Sequence, residues 1–183
     1  MEFNVSHLLK SPVGTTREYD LYPGERVPLD EEMVALIEEG HLRLDRTNTG
    51  ILARGHARAR VQLTCARCLD PVDVHVASDF AEEFEPSVDL ASGTPLPAPE
   101  NELAFTLSAR HILDLGEALR QNLIPALPLQ ALCRPECAGL CPSCGINRNV
   151  ATCDCVIVDE NHPLAALADL LREGSWSFRS PGA

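Results

Sequence analysis

Eight cysteines in four close pairs constrain this chain more than any other feature. Cys65 and Cys68 form "CARC", Cys133 and Cys137 form "CRPEC", Cys141 and Cys144 form "CPSCG", and Cys153 and Cys155 form "CDC". A tight turn can aim two sulfurs a few residues apart at one ion, and four soft ligands close a tetrahedron. Gly139 and Gly145 supply sharp bends beside the central pairs. Eight sulfurs predict two complete four-sulfur sites, with two structural zinc ions as the expected cofactor. The preferred partition puts Cys141, Cys144, Cys153 and Cys155 in one local site. The other site then joins Cys65 and Cys68 to Cys133 and Cys137. A second partition pairs Cys65 and Cys68 with Cys141 and Cys144, and spacing alone leaves both open.

Other uses of the sulfurs fit less well. A redox CxxC of the thioredoxin type opens a helix after a strand, whereas "CARC" lies between two strands and "CPSCG" in a Gly/Pro loop. A catalytic zinc keeps an open position, and no His/Glu dyad accompanies these cysteines. Iron–sulfur chemistry uses the same ligands and stays open as an alternative metal. The opening "MEFNVSHLLKSPVGTTREYDLY" has no long apolar run behind a basic patch. No window approaches the roughly 18 apolar residues of a spanning helix. The expectation is a cytoplasmic protein without membrane contact, where clustered cysteines are metal ligands more often than disulfides.

Aromatic residues make up only 4% of the chain, so its core must be built from Leu, Val, Ile and Ala. "GILARGHARARVQLTC" alternates with period two. Ile51, Ala53, Gly55, Ala57, Ala59, Val61 and Leu63 share one face, and Leu52, Arg54, His56, Arg58, Arg60 and Gln62 the other. "TNTG" turns this strand back towards "HLRLDR", and "PVDVHVASDF" alternates again after the Cys65–Cys68 turn. Three strands with short links predict an antiparallel β-meander. "TTREYDLYP" reads as a strand. "DEEMVALIEEG" reads as a short helix with Asp30 as N-cap and Gly40 as its end. A second helix starts at Asp114, with Glu117 completing a capping box. It buries Leu115, Ala118, Leu119 and Leu123, and Pro125 and Pro128 stop it.

The fold class expected is α+β. An antiparallel meander core with a few helices carries a C-terminal zinc-knuckle-like cysteine cluster. The domain reading is a core over 1–132, with a mobile acidic, Pro-rich loop at about 85–102. A cysteine-rich module over 133–158, a helix over 159–174 and a flexible tail over 175–183 follow.

These pieces together resemble a known family. "CARC" in a β-turn, an acidic loop, "DLGEALRQNLIPALPLQALC", "CAGLCPSCGINRN…CDC" and "HPLAALADLLR" are similar to the YceD family, the large ribosomal RNA subunit accumulation proteins. Arg148 stands where that family usually has Leu, and "HPLAAL" replaces its usual "DPRWxxL". The resemblance implies a role in synthesis, processing or stability of 23S rRNA and hence in large-subunit assembly. It implies no enzymatic activity. Relatives that lack the "GLCPxCG…CxC" insert but keep "CxRC" favour the first partition of the cysteines.

The formal charge is −12, from 27 acidic and 15 basic side chains. Such acidity disfavours coating of bare nucleic acid. It suits a basic large-subunit ribosomal protein as partner, or a precursor rRNA contact confined to a local stripe. The candidate stripe is Arg54, His56, Arg58 and Arg60, with Arg67, Arg134 and Arg148 beside the cysteines. The competing reading is a solvated outer face on which Asp73, His75 and Asp79 pair with those arginines across strands. No Ser/His/Asp arrangement, phosphate-binding glycine loop or HExxH helix is present, and no small-molecule substrate is expected. Two other functions compete with an assembly factor: a zinc or thiol redox and metal-handling protein, and an RNA-processing enzyme.

Overall fold

The computed structural model of the protein describes residues 1–97 and 104–155. The expected helix over 159–174, the tail over 175–183, residues 156–158 of the cysteine module and residues 98–102 of the acidic loop lie outside them. The chain divides into two compact units. One is Met1–Cys137, and the other starts at Ala138.

The first unit is mostly sheet with two short helices, an α+β arrangement. In chain order its elements are β1 (Glu2–Asn4), α1 (Ser6–Leu9), β2 (Thr16–Leu21), β3 (Arg26–Pro28), β4 (Val34–Arg46) and β5 (Ile51–Thr64). Then come β6 (Pro71–Pro86), β7 (Phe105–Leu107), β8 (Ile112–Asp114) and α2 (Gly116–Leu123), which runs into a 3-10 turn over Ile124–Ala126. The main sheet has the order β2-β4-β5-β6-β7, with β3 also on β4, and β1 pairs with β8 apart from it. β4, β5 and β6 are successive antiparallel neighbours, while β7 joins β6 in parallel.

The alternation of β5 sets the two faces. Ile51, Ala53, Ala57, Ala59 and Val61 are fully buried, whereas Arg54, Arg58 and Arg60 are exposed. Phe80 and Phe84 from β6 join the same core, and so do Leu115, Ala118, Leu119 and Leu123 around α2. The inward stripe read from the sequence for this helix is therefore the buried one. α2 packs on β6 and β3.

Two local readings need correction. "DEEMVALIEEG" is not a helix, because β4 runs from Val34 to Arg46. Asp30 does accept the N–H groups of Glu32 and Met33, at 2.9 and 2.6 Å, as an N-cap would. It closes a turn into β4 instead, since an Asx turn and a helix cap use the same hydrogen bonds. A β-bulge at Glu38 hides the strand. Ala35 and Ile37 face inward before it, and Leu42 and Leu44 after it, so the period-two phase flips mid-strand. The second correction concerns α2. Its N-cap is Leu115 and no side-chain capping bond forms. Asp114 ends β8 and accepts the Gly116 N–H at 2.9 Å, while Glu117 pairs with Arg120 at 2.7 Å.

Of the acidic loop, residues 87–97 are described. Val88 bridges Pro95, and the Asp89 carboxylate accepts the N–H groups of Ala91 and Ser92 at 3.2 and 2.7 Å.

Candidate metal centres

The end of the β5–β6 pair builds the first centre. Thr64 pairs with Pro71, and the chain between them makes a tight turn. The Cys65 N–H bonds the Asp70 carbonyl at 2.8 Å, and the Leu69 N–H bonds the Cys65 carbonyl at 3.0 Å. Leu69 adopts φ 62°, a left-handed conformation. This turn leaves the N–H groups of Cys68 and Arg67 pointing at the Cys65 sulfur, and the Cys133 N–H joins them. The segment after α2 is drawn in by the Ala66 N–H, which bonds the Ala131 carbonyl at 2.8 Å. It brings Cys133 and Cys137, whose sulfurs lie 3.6 Å from Cys68 and 3.8 Å from Cys65 respectively. Cys65, Cys68 and Cys137 are buried and pack with Leu132, and Cys133 is exposed.

The second centre repeats the turn in the second unit. Leu140 bridges Asn147, as Thr64 pairs with Pro71. The Cys141 N–H bonds the Ile146 carbonyl at 2.8 Å, and the Gly145 N–H bonds the Cys141 carbonyl at 2.8 Å. Gly145 has φ 73°. The Cys141 sulfur accepts the N–H groups of Cys144 and Ser143. Asn147 and Asn149 fasten the loop that follows. Ala138 donates its N–H to the Asn149 side chain at 2.9 Å, and Arg148 donates its N–H to the Gly139 carbonyl at 2.9 Å.

The sulfurs gather as Cys65, Cys68, Cys133 and Cys137, and as Cys141, Cys144, Cys153 and Cys155. Within each set all lie within 4.8 Å of one another, and each set could hold a metal ion. Metal–sulfur bonds of about 2.3 Å give a tetrahedron with edges of about 3.8 Å, so these separations fit a single ion. They are far beyond a disulfide bond, and all eight cysteines are free.

The backbone makes the lead cysteine of each set a natural anion. The Cys68 N–H, then those of Arg67 and Cys133, hold the Cys65 thiol down at about 6. The Cys144 and Ser143 N–H groups hold Cys141 at about 6. Their neighbours move the other way, because burial and hydrogen bonds donated to an adjacent sulfur both favour the protonated thiol. The Asp70 N–H favours the Cys68 thiolate, but burial and the hydrogen bond with Cys65 outweigh it, and Cys68 is pushed up. Burial raises Cys133. The hydrogen bond with Cys144 pushes Cys155 up to about 12. Four thiolates in one set need a cation, which is the chemistry of a metal site.

The arginines expected as contacts have the following neighbours. Arg54 donates to Asp45 at 2.5 Å, Arg58 to Glu39 at 2.8 Å and Arg60 to Asp73 at 3.4 Å. His56 pairs with Asp79 at 2.8 Å. Arg67 turns to the other cysteine pair of its own centre and donates to the Cys137 carbonyl at 3.0 Å. Arg134 sits in the turn between Cys133 and Cys137, its carbonyl accepting the Cys137 N–H at 3.1 Å. Arg148 is exposed beside a cavity lined by Ala138, Ala151, Thr152 and Cys153. Asp45 was missed in the sequence. It accepts from Thr16, Arg43 and Arg54 at once, and only the cross-strand register reveals that meeting. Among the described residues no helix is long and apolar enough to cross a membrane.

The family model for the large ribosomal RNA subunit accumulation protein YceD matches residues 53–171, well over half of the chain. The chain belongs to the YceD family. That span takes in most of β5, with β6, α2 and both cysteine sets. An uncharacterized protein of Mycobacterium tuberculosis is 33% identical over 57% of the chain and 48% of its own length. One from Mycobacterium leprae is 28% identical over 67% of the chain and 50% of its own length. A maize protein described as a chloroplastic large ribosomal RNA subunit accumulation protein, YCED homolog 1, is 26% identical over 71% of the chain and 49% of its own length. The chain thus spans about half the length of the curated relatives it matches. No solved structure matches it.

Proposed function

We propose that this chain is a non-enzymatic factor for 23S rRNA accumulation that acts in assembly of the large ribosomal subunit, in the cytoplasm, with two structural zinc ions. Membership of the YceD family carries the reading, and the maize relative's description agrees with it. Two compact four-sulfur sets support zinc as a fold-holding element. A multi-iron cluster would spread its four sulfurs wider than one ion does. In this reading Cys65, Cys68, Cys133 and Cys137 bind one ion, and Cys141, Cys144, Cys153 and Cys155 the other. Each ion cross-links its turn. Cys65, Cys68, Cys133 and Cys137 then belong to the older unit, and the segment with Cys141, Cys144, Cys153 and Cys155 is a self-contained addition.

The partner is a basic large-subunit ribosomal protein, precursor rRNA or both. The net charge of −12 favours the protein. Arg54, Arg58 and Arg60 each hold a carboxylate partner, with which a phosphate would have to compete. The test is sedimentation of the tagged chain with precursor large subunits on sucrose gradients, joined to 23S rRNA measurement after deletion. Co-sedimentation and a 23S deficit are expected. Absence from every ribosomal fraction, with normal 23S rRNA, would overturn the proposal.

A further inference from the structure

A row of four side chains crosses the polar face of the sheet. Asp20 on β2 lies opposite His41 on β4, His41 lies opposite His56 on β5, and His56 lies opposite Asp79 on β6. The acids stand at the ends and the imidazoles in the middle. His41 Nδ1 is 3.3 Å from Asp20 and His56 Nδ1 is 2.8 Å from Asp79. With each Nδ1–H donated to its carboxylate, each ring keeps the Nε2 lone pair.

On an imidazole, Nδ1 and the Cδ2–Nε2 edge lie on opposite sides of the ring. Rings that turn Nδ1 outward, towards β2 and β6, present their Nε2 edges to the gap between β4 and β5. Directly opposed strand residues have Cβ atoms about 4.5–5.5 Å apart. That is close enough for two Nε2 atoms to share an ion at bonds of about 2.0–2.1 Å. We infer that His41 and His56 form a surface site for one divalent transition-metal ion of the kind that imidazole prefers, such as zinc or nickel, with Asp20 and Asp79 orienting the two ligands.

Three observations carry this. A carboxylate behind each imidazole is the usual support of a metal-binding histidine, fixing its tautomer and raising its basicity. The backbone beneath the pair is held in close register. A Cβ at Gly55 would overlap the His41 carbonyl oxygen, and one at Gly40 would come within 2.9 Å of the His56 carbonyl oxygen. The charges around the row are also balanced in its favour. Arg43 and Arg54 on one side share Asp45, with Glu18 opposite Arg43, and Arg58 on the other side pairs with Glu39. The row itself therefore adds negative charge from its two ends. Both imidazoles are about half exposed, at 52% and 45%. Among the described residues no further side chain joins them in a three-donor cluster, so water fills the remaining positions. The site is separate from the cysteine sets and independent of the ribosomal reading.

The test is zinc titration by calorimetry of protein whose cysteine sets are already loaded, read beside long-range 1H–15N spectra of the imidazoles. One further, weaker equivalent is expected. The Nε2 resonances of His41 and His56 should shift while both Nδ1 atoms keep their protons. Asp79→Asn should weaken this equivalent about 10–100-fold. His41→Ala/His56→Ala should abolish it and leave the cysteine-bound metal in place, with circular dichroism reporting the intact sheet. No further equivalent, one that survives the double variant, or one that leaves both Nε2 resonances unmoved would each overturn the inference. Loss of the cysteine-bound metal alone would bear on the function proposed above and not on this site.

Discussion

Cys65 to Asp70 and Cys141 to Ile146 trace the same hydrogen-bonded turn, but they rest on different foundations. The first closes the end of two long strands over a core that includes Ile51, Ala59, Val61 and Phe84. Its four ligands come from positions up to 72 residues apart, so an ion there staples distant parts of one unit. The second gathers all four sulfurs between 141 and 155. Around it Val150 is 84% exposed, and Leu140 is only half-buried. Residues 141–155 by themselves are too few to bury a core, and among the described residues the four sulfurs are the means of linking them. The same turn is therefore an accessory to a fold in one place and the reason for a fold in the other.

The largest expected effect follows from that difference. Metal binding supplies about 10–16 kcal/mol to small zinc modules. Cys144→Ser should release one equivalent of metal and collapse the amide dispersion of residues 138–155, while the sheet resonances stay in place. Cys68→Ser should also release one equivalent, yet leave the β4–β5–β6 sheet folded with a lower melting temperature. Native mass spectrometry counts the metal and NMR locates the loss. If Cys68→Ser unfolded the sheet, or Cys144→Ser left residues 138–155 ordered, the contrast between the two centres would fail.

Acid should separate the metal centres from the sheet. Protons compete with metal for every thiol of a set, and below about pH 6 Cys65 and Cys141 take up protons too, so metal affinity falls most steeply there. The sheet has a later threshold at Asp45. Burial alone would raise this carboxyl, but hydrogen bonds from Thr16, Arg43 and Arg54 bring it from 3.8 down to about 2. Folding lowers the pKa, so this contribution is complete above 3.8 and is lost as pH falls to about 2. At about 1.4 kcal/mol per unit it amounts to about 2 kcal/mol. A chromophoric chelator should report metal release while far-UV circular dichroism still shows sheet, with the sheet melting only nearer pH 2–3. Asp45→Asn should cost about 2 kcal/mol at pH 7, and its deficit should vanish at about pH 2.

How much of this was readable beforehand depends on whether a signal was local. β5 was legible because its alternation from Ile51 to Val61 is unbroken. β4 was not, because the bulge at Glu38 inverts the phase and Asp30 offers the same carboxylate to a turn as to a helix. The cysteine pairs announced metal chemistry, but their assignment to sets depends on how the segment after α2 returns to the β5–β6 turn. The Ala66–Ala131 bond fixes that return, and no spacing encodes it. The arginines of β5 were visible. Of their carboxylate partners, Asp73 on β6 was legible as a cross-strand acid, while Glu39 and Asp45, both on β4, follow only from the register of that strand.

The smallest effect tests whether the two turns are equivalent in energy as well as in hydrogen bonding. Gly145 and Leu69 hold the same position, with φ 73° and 62°. Left-handed backbone costs a residue with a side chain about 1–2 kcal/mol and glycine almost nothing. A Cβ at Gly145 meets nothing within 4 Å, so Gly145→Ala would add conformational strain without a clash. It should destabilise the second centre by about 1 kcal/mol, read as weaker metal retention against a competing chelator. The reverse exchange gains less. Leu69 is 61% exposed and gives up little packing, but glycine adds about 0.5–1 kcal/mol of freedom to the unfolded chain. Leu69→Gly should therefore stabilise the first centre by no more than about 1 kcal/mol. Opposite signs from the two substitutions would mean that the turns share one conformational cost, relieved by glycine in one and borne in the other because the sheet supports it. A destabilising Leu69→Gly would show instead that the Leu69 side chain makes a contribution of its own, and the likeness of the two turns would end at their hydrogen bonds.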